Sequence, residues 1–197
     1  MIQPAARRRL DIAPLFVEHG RWVLRQLDRV ARLRTAHPAA QRQPHQILLR
    51  GDAVTVSHPT ARALEAWLKR EARIAIDREL ALITPLLGVT PRRVFLRSQR
   101  TMWGSCSTRG NVSFNWRCVM APDHVLRYLV VHEAAHLLHP NHSPRYWEVV
   151  RRLHPDVESA KRWLTANGHH LMVDLDAVVA AARWAPQPPL PSPLPSP

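Results

Sequence analysis

Cysteine is scarce in this chain, with only Cys106 and Cys118 among 197 residues. Two thiols cannot build a disulfide framework, so stability must come from a packed core, for which this length suffices. A secretory leader is missing too. The basic start Met1–Arg9 runs into Asp11, Pro14, Glu18 and His19 where a leader needs an apolar run, so the expected location is cytoplasmic, with both thiols reduced. No stretch approaches the roughly 18 unbroken apolar residues of a spanning helix, which excludes a helical membrane protein. No internal repeat recurs. Lysine is nearly absent, since only Lys69 and Lys161 are lysine among the 28 cations.

What is abundant is arginine. Lys+Arg 28 against Asp+Glu 15 gives a net charge of +13. Residues 1–50 hold ten cations and three acids, and residues 51–100 nine and five, so the first half carries +11 of it. The planar guanidinium fork suits phosphate, yet a solvated basic surface produces the same count. A nucleic acid is accordingly a candidate partner of the basic N-terminal half, with a charge count arguing about partners and never about chemistry.

Residues 1–44 read as a basic arm. Leu15, Trp22, Leu27, Val30 and Leu33 alternate with Arg25, Arg29, Arg32 and Arg34 in a helical pattern that Pro38 and Pro44 end. Residues 45–184 read as the folded domain. Ile47–Leu49 and Val54–Val56 flank Gly51-Asp52 as a hairpin, and Thr60–Leu87 has helical periodicity closed by Gly88. Val94–Leu96 and Val112–Trp116 read as strands joined by a polar loop containing Trp103, Gly104 and Gly110. Helices are expected over Val125–Leu138, started by Pro122-Asp123, then over Ser143–Leu153 and Val157–Ala166. Residues 185–197 form a proline-rich tail that reads as disordered, or as a docking peptide.

The chemistry lies in His132-Glu133-Ala134-Ala135-His136. An H-E-x-x-H on a helix sets two imidazoles one turn apart on one face, with the glutamate placed to deprotonate a water. Catalytic zinc takes three protein ligands and one open position. His142, separated from the second histidine by five residues, is the candidate third ligand, and Glu158 on the following helix is its rival. His139-Pro140 disfavours helix and Asn141 tolerates a reversal, so the chain is able to bring His142 back. A shuffled chain of this composition would contain this four-residue pattern about 0.002 times. His139, Arg145, Tyr146 and Asn115 are candidate oxyanion donors. Asn141 and Ser143 either orient His142 or cap the next helix. The cysteines read as packed residues and not nucleophiles.

Several further motifs stand in order around that helix: Arg100-Thr101-Met102-Trp103-Gly104-Ser105-Cys106, then Asn115-Trp116, and after it Asn141-His142-Ser143-Pro144-Arg145-Tyr146-Trp147. With H-E-x-x-H these resemble the YgjP-like metal-dependent hydrolases, relatives of the SprT-like and WLM zincins, over roughly residues 45–167. The resemblance implies an α+β zincin-like metallopeptidase fold with a small mixed sheet, an active-site helix and C-terminal helices, here preceded by the basic arm. It also implies Zn2+ on His132, His136 and His142 and Glu133 as catalytic base. Tyr146 departs from the family's frequent phenylalanine, and the family's strand-rich N-terminal portion looks shortened or replaced. In such a fold the Trp103-to-Trp116 hairpin would be the sheet edge beside the site, able to pair an extended substrate. The expected function is zinc-dependent hydrolysis of a peptide bond in a peptide or protein substrate. Rival readings are a nucleic-acid-associated protease, as among SprT-like relatives, and a non-catalytic zinc-binding adaptor.

Overall fold

The computed structural model describes residues 42–185 and Gly20. The expected helical arm (1–44) and proline-rich tail (185–197) lie outside the described residues, apart from Gly20, 42–44 and Ala185. The described chain is a mixed α+β fold with two small sheets and five α-helices.

The first sheet is an antiparallel hairpin of β1 (Gln46–Leu49) and β2 (Asp52–Thr55). Leu49 pairs with Asp52, so the two turn residues are Arg50 and Gly51, one position earlier than the sequence pattern places them. Both have positive φ, 54° and 93°, as a tight turn matching strand twist requires. Arginine tolerates this because it is held: its N–H donates to the Val119 carbonyl at 2.8 Å, and its guanidinium pairs with Asp123.

Helix α1 (Ala61–Leu87) follows the expected span closely. The Thr60 hydroxyl accepts from the Ala63 N–H at 3.1 Å, and Gly88 closes the helix in the left-handed region at φ 70°. Leu64, Leu68, Ile76, Leu80 and Ile83 form its buried stripe. Its exposed ion pairs, Lys69–Glu65 and Arg73–Asp77, are worth only about 0.3–0.5 kcal/mol each, so burial of that stripe holds the helix in place.

The second sheet has strand order β3-β5-β4, from β3 (Arg93–Arg97), β4 (Gly104–Cys106) and β5 (Asn111–Asn115). Where the sequence reads as one loop between two strands, Gly104–Cys106 forms a third strand, antiparallel to β5, while β3 and β5 run parallel. Trp116 lies beyond β5, in a 3-10 turn over Trp116–Met120.

Helix α2 (Asp123–Ala135) is the hub, packed against α1, the second sheet, α3 (Pro144–Leu153) and α4 (Val157–Asn167). It ends three residues short of the expected Leu138. A 3-10 turn (Gly168–Leu171) and α5 (Leu175–Arg183), which the sequence reading lacks, close the described chain. No helix among the described residues is long and apolar enough to cross a membrane.

Cys118 is fully buried, and burial pushes its thiol up to about 12. The folded value exceeds the ordinary 9.0, so this group's contribution to stability is complete below that value and is lost as pH rises through about 12. At pH about 8, iodoacetamide is therefore expected to leave Cys118 unmodified until the chain unfolds. Mass-spectrometric labelling of the native protein within minutes would show that the core opens.

Candidate metal centre

Helix α2 carries His132, and His136 caps its C-terminal end one turn on, their rings 5.2 Å apart. Regular helix stops at Ala135, and the N–H groups of Leu137 and Leu138 turn back to the Ala134 and Ala135 carbonyls at 3.0 and 3.1 Å. The chain then reverses and enters α3, whose first turn is capped by the Ser143 hydroxyl accepting from the Tyr146 N–H. Ser143 thus has a capping role. This break brings His142 back, with its Nε2 3.3 Å from that of His132. The ligating atoms of His132, His136 and His142 all lie within 4.8 Å of one another.

The donor set fits a divalent metal. His136 donates its Nδ1–H to the His139 carbonyl at 3.0 Å, which leaves the Nε2 lone pair facing the cluster. Tyr128 Oη lies 3.4 Å from His132 Nδ1 and serves the same end. Burial lowers the pKa of His132 to about 4, with the neighbouring His136 and His142 adding to the shift, and burial lowers that of His136 as well. Both rings are therefore neutral near pH 7, as ligands must be.

Tyr146 builds the floor. It is fully buried, its ring stacked on His136 at 4.6 Å and edge-on to His142 at 4.8 Å, and its hydroxyl donates to the His132 carbonyl at 3.1 Å. Trp147 stacks on His142 at 5.7 Å. Glu133 is 6 % exposed, and burial pushes its carboxyl up to about 7. It lies directly against β4. A Cβ built on Gly104 would stand 2.5 Å from both Cγ and Oε1 of Glu133.

A cleft of about 460 Å³ opens beside His132 and Glu133, walled by Trp103 and Gly104 on one side and by Lys161 and Leu164 of α4 on the other. The Lys161 ammonium stands 4.2 Å over the Trp147 ring and 3.3 Å from Glu158. Glu158 is exposed and outside the histidine cluster.

Two candidate oxyanion donors are already engaged. The Asn115 amide donates to the Gln99 and Met102 carbonyls and accepts from the Arg117 N–H, and the Tyr146 hydroxyl is held by His132. Asn115 and Trp116, whose indole donates to Ser98 at 2.9 Å, instead pin the loop that leads into Trp103 and Gly104. Arg145 is exposed, and His139 contributes its carbonyl. The Cys106 thiol is pushed up by its own burial and by Glu133, which disfavours a nucleophilic thiolate. The sequence reading missed Tyr128, the steric part played by Gly104, and Lys161, whose one signal was being a lysine in an arginine-rich chain.

A buried H-E-x-x-H helix with a third histidine returned to it, set against a small mixed sheet, defines the metallopeptidase type of metal-dependent hydrolase. The family model for the YgjP-like metallopeptidase domain matches residues 58–167, more than half of the chain, and the chain belongs to that family. The β1–β2 hairpin precedes the matched region. No match was found among curated proteins.

Proposed function

We propose that the protein is a zinc-dependent metallopeptidase, with Zn2+ held by His132, His136 and His142 and Glu133 as its base. The convergence of three imidazoles, with burial lowering the pKa of His132 and His136, carries this reading. An all-imidazole set without thiolates suits a catalytic zinc and leaves a position for water. When bound, the metal supplies Lewis-acid polarisation of water and of the scissile carbonyl. Glu133 takes the proton from the attacking water and delivers it to the leaving amine. Its raised pKa, about 7, matches a group that must both accept and release a proton near neutrality. Gly104 leaves room for that carboxylate, and the edge strand β4 offers free backbone groups to an extended peptide. Lys161 brings a cation to the cleft, where charge develops on the substrate.

The test is elemental analysis of untagged protein purified without chelators, beside His142→Ala. About one zinc per parent chain is expected. The variant, left with two ligands, is expected to lose at least tenfold in affinity. Equal retention in both would remove His142 from the ligand set and return Glu158 to it. An empty parent after zinc is offered would overturn the hydrolase reading.

A further inference from the structure

We propose that the outer face of the β3-β5-β4 sheet, on the side away from α2, binds single-stranded nucleic acid. The proposal is independent of the metal site.

Between Glu79 and Asp123 the chain has no acidic residue and six arginines: Arg92, Arg93, Arg97, Arg100, Arg109 and Arg117. This segment contains the whole second sheet: Arg93 and Arg97 are exposed on β3, and Arg92, Arg100 and Arg109 are exposed in the loops around it. Side chains alternate across a strand. Val94 and Leu96 pack against the core, as do Val112 and Phe114 of β5, which turns Arg93, Phe95 and Arg97 to the opposite face. The register continues that face: Phe95 stands beside Ser113, and Ser113 beside Ser105 of β4, with Asn111 next to Arg93. The result is a polar surface bearing one half-buried aromatic ring, with the Arg97 guanidinium over it at 5.2 Å from the ring centre and Arg93 two positions away on the same face.

Charge complementarity calls for a polyanion. The ring makes the choice among polyanions. A duplex keeps its base faces stacked inside and offers phosphates and groove edges, and an acidic protein does not pair each negative charge with an adjacent π-face. An unpaired strand presents both phosphates for Arg93 and Arg97 and a base to stack on Phe95. Serine and asparagine between them provide neutral donors and acceptors, and no carboxylate among the described residues of the sheet repels the backbone.

The test is fluorescence anisotropy of a labelled oligothymidylate with the full chain, over roughly 50–200 mM salt. Binding is expected to weaken as salt rises. Arg93→Ala/Arg97→Ala should flatten the logarithmic slope by about 1.4, from about 0.7 per phosphate contact on a single strand. Phe95→Ala should cost roughly tenfold in affinity with the slope unchanged, and Phe95→Trp should restore it. Thermal melts of each variant separate lost binding from lost folding. Three results would overturn the proposal: no binding by the parent, equal affinity for a duplex of the same length, or parental affinity in the folded Arg93→Ala/Arg97→Ala protein. The last, together with loss of binding on replacing Arg25, Arg29, Arg32 and Arg34, would move the contact to residues 1–44. Displacement by polyglutamate as effective as by unlabelled oligothymidylate would assign the face to an acidic protein.

Discussion

Glu133→Gln is expected to keep its metal content and, on the proposed function, to lose hydrolysis by about 10³-fold, the scale for removing a positioned proton-transfer group. Glutamine preserves the volume of a side chain that is 6 % exposed and touches Gly104, so the helix and the imidazoles stay where they are. What disappears is the carboxylate's ability to take a proton. Since burial already disfavours the charged form, pushing the carboxyl up to about 7, the neutral amide places no new strain on the fold. The measurement is cleavage of a randomised peptide mixture followed by mass spectrometry, with metal content determined on the same preparation. A variant that retains more than about a tenth of the parental rate would mean that another group moves the proton.

Gly104→Ala is expected to lower hydrolysis by about 10²-fold without emptying the metal site. The added methyl has no space: it would stand 2.5 Å from both Cγ and Oε1 of Glu133. Either β4 withdraws or the carboxylate swings away, and a displacement of about 1 Å at a reacting group is enough for such a loss. The imidazoles are held by other partners, His136 by the His139 carbonyl and His132 beside Tyr128, so zinc content should remain near parental. Gly104→Ala should add almost nothing to the defect of Glu133→Gln, because both act through one side chain. Independent, multiplying losses would show that Gly104 acts elsewhere, for instance on substrate pairing along β4.

The legible parts of the sequence were those governed by local rules. Thr60 and Gly88 mark the ends of α1 because capping depends on one or two residues. His139-Pro140 and Asn141 forecast the reversal after α2, and the three imidazoles do converge. The YgjP-like resemblance, read from several motifs in order, agrees with the family model over residues 58–167.

What was illegible depends on partners far along the chain. Gly104–Cys106 is three residues long and becomes a strand only because β5 lies beside it. The parallel pairing of β3 with β5 leaves no trace in periodicity, and neither does the contact of Gly104 with Glu133 across 29 positions. Asn115 and Tyr146 were read as free donors because sequence shows which side chains have polar atoms and not which atoms are already taken.

Tyr146 joins two jobs that enzymes often keep apart. Its ring is core packing, contacting all three histidines, and its hydroxyl clamps the backbone of one of them. Evolution therefore has little freedom to retune this metal seat by drift at its edges. Repacking beneath it would be filtered first by its effect on chemistry, long before the molecule became too unstable to persist. A phenylalanine at this position would retain the ring and omit the clamp, which makes the hydroxyl the adjustable half of the device.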